Sequence, residues 1–283
     1  MIIKALAENT SVSSDLGCEH GLSLYIETNT HKILFDTGES ALFAKNALLM
    51  DVDLRNVDIA FISHGHYDHG GGLKTFLQLN EHAKVLISRR AFDRHYAHLG
   101  NKGLKYIGLS EELLPSDRFV YVDDALKIDD QLTLISAVKC DRLNPSGNID
   151  LLKQDGEGCV CDDFAHEQNL VIRENGKSVL ISGCSHCGIV NILERYHCLY
   201  GGYPDTVIGG FHLYNPVRDE SERPETVREI AECLQKTKAQ FYTCHCTGIE
   251  AFRRLKEMMG DQIGYLSGGQ TLQIESKRSL TYE

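Results

Sequence analysis

With 283 residues, 42% of them hydrophobic and 24% charged, the chain has an ordinary globular composition and enough apolar residue to fill a substantial core. A formal net charge of -11 removes a nucleic-acid backbone as the main partner, because a row of phosphates calls for a basic surface; a small anionic substrate stays allowed beside a metal ion. No run approaches the roughly 18 apolar residues of a membrane span, and nothing resembles a signal peptide, so no membrane partner and a cytoplasmic location are expected.

In chain order, residues 1–6 read as a short apolar strand broken by Lys4. Residues 22–27 alternate and 32–35 follow after a turn, so both read as strands. A helix is predicted over 40–50, a strand over 58–62, a helix over 72–80 and a strand over 84–88. Further strands are predicted at 118–122, 132–136, 169–173, 178–182, 205–209 and 240–243, and helices at 188–199, 224–237 and 248–259. Segments 100–117 and 140–165, rich in Gly, Pro, Asn and Asp, read as irregular and are expected to cap or border a site. No repeat, low-complexity tract or linker interrupts the pattern, so residues 1–283 read as a single domain. Two strand-rich halves, each with helices, suggest two sheets packed face to face with helices outside.

The chemistry concentrates in Ser63-His64-Gly65-His66-Tyr67-Asp68-His69-Gly70-Gly71, directly after the strand at 58–62. Imidazole nitrogen and carboxylate oxygen suit zinc, and a tight glycine-bearing loop lets neighbouring side chains converge on it. His64 and His66 alternate and can point the same way; Asp68 and His69 then turn toward a second position. His186 and His245 each follow an apolar strand, as does His212 in Gly210-Phe211-His212-Leu213. Strand ends at one sheet edge can meet in space although distant in sequence. Ten cysteines without a secretory signal read as reduced thiols or metal ligands in a reducing cell interior. Cys198 and Cys233 lie in helical patterns and are expected to be buried, and Cys244 and Cys246 beside His245 to pack.

The histidine segment resembles the signature of the metallo-β-lactamase superfamily, and Phe35-Asp36-Thr37-Gly38 resembles that superfamily's first motif. Most of the chain is similar to a narrower branch, the dihydropterin ribofuranosyl-aminobenzene-phosphate synthase-like proteins. The shared segments are His20-Gly21-Leu22-Ser23-Leu24, the histidine loop, Gly183-Cys184-Ser185-His186, Gly209-Gly210-Phe211-His212-Leu213 and His245-Cys246-Thr247-Gly248, in that order. The resemblance implies an α/β fold, an αββα sandwich of two mixed β-sheets with helices on the outer faces and metals at one edge. It implies one or two divalent metal ions, zinc by default, with iron, manganese or nickel able to occupy similar sites. His64, His66 and His186 are assigned to the first metal; Asp68, His69 and His245 to the second; Asp36 supports the loop from behind. His166 is a reserve ligand, otherwise a loop residue or substrate contact. Cys184 stands where many members carry a metal-bridging aspartate, and either binds metal or packs behind His186.

These residues point to a hydrolase of a small anionic ester, lactone or phosphoester, in which two cations polarise a substrate oxygen and activate water. Asp68 and His212 are the catalytic candidates, with His212 a proton donor or anion binder. The alternatives are a metal-dependent pterin-related synthase or transferase, and a non-catalytic metal-bearing binding protein. A redox di-iron role is disfavoured because such relatives carry a carboxylate where His66 stands. The partner expected is a small molecule; oligomeric state is left open.

Overall fold

A computed structural model describes residues 1–114, 116–122 and 124–275. The chain opens with β1 (Ile2–Ala7), β2 (Ser23–Glu27), β3 (Lys32–Phe35), α1 (Leu42–Leu49), β4 (Ile59–Phe61), α2 (Tyr67–Gly70), α3 (Leu73–Leu79) and β5 (Lys84–Ile87). Next come β6 (His95–His98), β7 (Leu104–Tyr106), β8 (Phe119–Tyr121), β9 (Leu126–Lys127), β10 (Leu132–Ile135), β11 (Leu151–Asp155) and β12 (Gly158–Cys161). The rest is β13 (Asn169–Glu174), β14 (Lys177–Ile181), α4 (Ile189–Tyr200), β15 (Thr206–Gly209), β16 (Tyr214–Asn215), β17 (Glu220–Ser221), α5 (Pro224–Thr237), β18 (Gln240–Thr243), α6 (Ile249–Met259), β19 (Ile263–Tyr265) and β20 (Thr271–Gln273).

Two mixed seven-stranded sheets, β20-β1-β2-β3-β4-β5-β8 and β19-β18-β15-β14-β13-β10-β9, form the expected αββα sandwich. Period-two alternation divides each strand between two cores. In β14, Val179 and Ile181 point between the sheets while Leu180 points outward to the helices. Likewise Ile33 and Phe35 of β3 face the inner core, and Leu34 packs with Phe43 of α1 and Phe76 of α3. Helix α5 begins with Pro224 in its first turn and buries Val227, Ile230, Ala231 and Leu234, one stripe at helical spacing, against the second sheet. Among the described residues no helix is long and apolar enough to cross a membrane.

The segments at 100–117 and 140–165 are not simply irregular. They supply β7, β11 and β12, which with β6 make a third sheet, ordered β12-β11-β6-β7. Every residue of β7 and β12 is exposed, so no buried face imposes the alternation by which a strand is recognised.

Candidate metal centre

Strand ends deliver the site. β3 runs into Asp36, β4 into the histidine loop, β14 into Cys184 and His186, β15 into His212, and β18 into His245. Because β3 and β4 are parallel, and β14, β15 and β18 are parallel, these ends leave each sheet at one edge. Asp36, Ser185, His212 and His245 all take left-handed backbone angles, φ between 49° and 59°, which non-glycine residues adopt only when their surroundings hold them there.

Four imidazoles are anchored in the same way. His64 Nδ1 lies 2.8 Å from Ser63 Oγ, His69 Nδ1 2.7 Å from Asp36 Oδ2, His186 Nδ1 3.2 Å from Asn148 Oδ1, and His245 Nδ1 2.7 Å from Asn9 Oδ1. Ser63 Oγ donates to Asp36 Oδ2 at 2.8 Å, so it accepts from His64. These partners assign a proton to each Nδ1 and leave each Nε2 to meet a cation, the arrangement by which outer groups orient metal ligands.

The Nε2 atoms of His64, His66 and His186 are buried and have no hydrogen-bond partner among the described residues. Their rings cluster with centroids 4.6 Å (His64–His66), 4.9 Å (His64–His186) and 4.9 Å (His66–His186) apart. Burial, above all, holds all three well below the usual histidine pKa and so in the neutral form that ligates metal. Buried polar nitrogens are rarely left unpaired, and three on neighbouring rings fit a cation.

Beside them, Asp68 Oδ2 lies 3.2 Å from His245 Nε2 and 3.7 Å from His69 Nε2. Burial works against the Asp68 charge, but His69, His20 and His245 outweigh it and keep the carboxyl well below its ordinary range. Burial likewise opposes charge on His69, yet Asp36 and Asp68 carry its pKa up to about 9. A cation at His69 Nε2 would replace that proton. Cys184 Sγ lies 3.1 Å from His69 Nε2. Its ligand atom falls within 4.8 Å of those of Asp68, His69 and His245, and within 4.8 Å of those of His64 and His186. The thiol therefore stands between both groups, not merely behind His186.

His166 lies beside His66, with one ligand atom of each of His66, His95, Asp162 and His166 within 4.8 Å of the others. Both its ring nitrogens are engaged, Nδ1 accepting the Gly65 N–H at 2.9 Å and Nε2 donating to Asp162 at 3.2 Å, which fits the loop residue that was the alternative to a ligand. It braces the loop from beneath, with Asp162 also holding His95 Nδ1 at 2.8 Å. The cysteines are not all reduced, since Cys140 and Cys187 form a disulfide across 47 residues. Cys198 is exposed and Cys233 half-buried, at the rims of their helices. Cys244 packs in the inner core as expected, whereas Cys246 faces Cys184 and His212.

Sequence reasoning about the site passed over Glu8, Asn9, His20 and Glu167. His20 Nε2 meets Asp68 Oδ2 at 3.3 Å, and the His20-Gly21-Leu22 segment carried a signal for it. Glu8 and Asn9 act on nitrogens of His245 more than 230 residues away and Glu167 on backbone nitrogens 19 and 20 residues away, and no local pattern marks them.

The two groups open into a cavity of about 360 Å³. Leu99, Ile107, Leu151 and Val217 make its walls largely apolar, and His212 lies against His186 with centroids 4.2 Å apart. Lys105, from β7, is the one lysine or arginine among the described lining residues. The ion pair of Arg218 with Asp150 (2.7 Å) borders the same cavity.

Facing sheets with histidines, an aspartate and a cysteine gathered on strand ends define a class of protein, an αββα sandwich built around a metal centre. Residues 16–136 match the sequence description of the metallo-beta-lactamase superfamily. The chain belongs to that superfamily. It is 30% identical to an uncharacterised Methanocaldococcus jannaschii protein, MJ0448, over 273 residues, covering 94% of this chain and 98% of that one. It is 26% identical to the same organism's 7,8-dihydropterin-6-methyl-4-(beta-D-ribofuranosyl)-aminobenzene-5'-phosphate synthase, with 96% of each chain covered. The crystal structure of Tm1679, described as a metal-dependent hydrolase of the beta-lactamase superfamily, superposes with a TM-score of 0.83 at 29% identity, covering 98% of this chain and 100% of that one.

Proposed function

We propose that the protein is a metal-dependent hydrolase of a small anionic ester, lactone or phosphoester. The observation that carries this reading is the set of buried, unpaired Nε2 atoms of His64, His66 and His186, on rings whose centroids lie 4.6–4.9 Å apart. These three would hold one divalent cation; Asp68, His69 and His245, with His20 alongside, would hold a second, zinc being the default for such donors. When bound, such cations polarise a substrate oxygen and make water acidic near neutral pH.

The chain's own groups do the rest. Asp68, kept ionised by its histidine neighbours, accepts a proton from the attacking water. His212, on the cavity wall beside His186, steadies or protonates the leaving group. Lys105 offers a positive charge to the substrate's anionic end, and the apolar walls take its body and limit access of other water. A transferase in which an organic acceptor replaces water is the second reading, and the similarity to a synthase over 96% of the chain favours it.

The test is His64→Ala with His66→Ala in one variant, followed by elemental analysis and a panel of esters, lactones and phosphodiesters. At least one metal equivalent and all turnover should be lost. Unchanged metal content would overturn the ligand assignment. Metal-dependent turnover seen only when an organic acceptor is supplied would favour the transferase.

A further inference from the structure

Cys184 and Cys246 sit at the ends of β14 and β18, with β15 hydrogen-bonded between them. They meet because the intervening chain passes as Gly209-Gly210. A Cβ built on Gly210 would lie 2.4 Å from Cys246 Sγ, so any side chain there would fill the gap. Across that gap Cys246 Sγ reaches the Cys184 carbonyl oxygen at 3.6 Å. The two sulfurs and one ring nitrogen of His212 all lie within 4.8 Å of one another. Cys184 is 2% exposed, Cys246 5% and His212 8%, and His212 Nδ1 is buried with no partner among the described residues.

We propose that Cys184, Cys246 and His212 form a sulfur-rich site for a thiophilic cation of the zinc and cadmium class, adjoining the histidine-rich positions and joined to them through Cys184. Two thiolates and an imidazole are a soft donor set, unlike the nitrogen and oxygen donors of His64, His66, His186 and Asp68. Both sulfurs bind as thiolates, so any proton either carries leaves as the cation binds and no electron changes hands. All three residues line the cavity, so a fourth coordination position faces it. Occupancy also engages Cys184, which stands between the histidine groups, and withdraws His212 from the substrate. A cation here therefore opposes the proposed hydrolysis. The site itself does not depend on that reaction.

The test is to add cadmium to the reduced, metal-loaded protein without air, and to follow sulfur-to-cadmium charge-transfer absorption and proton release. One tight equivalent should give a two-thiolate band. Cys246→Ser should reduce the band and weaken cadmium binding on the order of tenfold or more. Cys159→Ser with Cys161→Ser, an exposed pair on β12, should leave it unchanged. The His64→Ala, His66→Ala protein should retain the band, which separates this site from the hydrolytic one. X-ray absorption on the unmutated protein counts sulfurs around cadmium should a variant fail to fold. Fewer than two sulfurs, or a band lost in Cys184→Ser but intact in Cys246→Ser, would overturn the proposal.

Discussion

Glu167 reaches under the turn that carries His186, its two oxygens accepting the backbone N–H groups of His186 at 2.6 Å and Cys187 at 3.1 Å. Glu8 does the same for His245, accepting its N–H at 2.6 Å and the Tyr265 hydroxyl at 2.7 Å. Both turns contain a left-handed non-glycine residue, Ser185 in one and His245 in the other. A buried acceptor at each gives a physical reason why those conformations persist. Replacing Glu167 with alanine leaves two buried N–H groups unpaired, at about 1–3 kcal/mol for each. Urea unfolding should show a loss of about 2–6 kcal/mol, and metal binding should weaken on the order of tenfold. Glu167→Gln keeps one oxygen acceptor and should recover part of both. A stability loss without any change in metal binding would leave Glu167 a purely structural residue.

At the scale of elements, the predicted helices and long strands form within a residue or two of expectation, because each has a buried stripe of the right period. Shorter pieces rest on individual side chains. The turn between β9 and β10 is held by Asp129, whose Oδ1 accepts the N–H groups of Gln131 and Leu132, both at 2.7 Å, and whose Oδ2 meets His31 Nε2 at 2.7 Å. Burial raises the Asp129 pKa, but those backbone N–H groups and then His31 outweigh it and leave the carboxyl below its usual value. A depressed carboxylate adds stability that is present above its unfolded pKa, about 3.9, and is lost as pH falls through the folded value. Asp129→Asn should therefore cost stability at neutral pH and flatten the acid limb of the curve below about pH 4. Parallel stability curves for the two proteins across that range would refute the coupling.

On the scale of the whole molecule, the third sheet matters because it turns an exposed metal edge into a walled cavity. Lys105 of β7 lies with its Nζ 4.8 Å from the Tyr67 ring centroid, next to Asp68 in the chain and on the same cavity. If the substrate is anionic, Lys105→Met should lower kcat/KM on the order of tenfold, mainly through KM, and make the rate less sensitive to salt. Neutral esters should be turned over at nearly the original rate. An equal loss for neutral and anionic substrates would assign Lys105 to the wall and not to charge recognition.

The sequence by itself supplied the sandwich, through its family resemblance, and the candidate ligands. Alternating strands and striped helices suggest two layers, and His64, His66, Asp68 and His69 lie close enough in the chain to read as a metal loop. His186, His212 and His245 were legible because each ends an apolar strand. Only the tertiary structure decided which ring nitrogens are held and which are left free, since that depends on Ser63, Asp36, Asn148 and Asn9, the last of them 236 residues from the ring it holds. It also decided that His166 braces a loop, that Cys140 pairs with Cys187, and that Cys246 meets Cys184 across two glycines. Secondary structure follows from burial repeated along the chain, whereas these contacts form between strand ends that meet only after the sheets have folded.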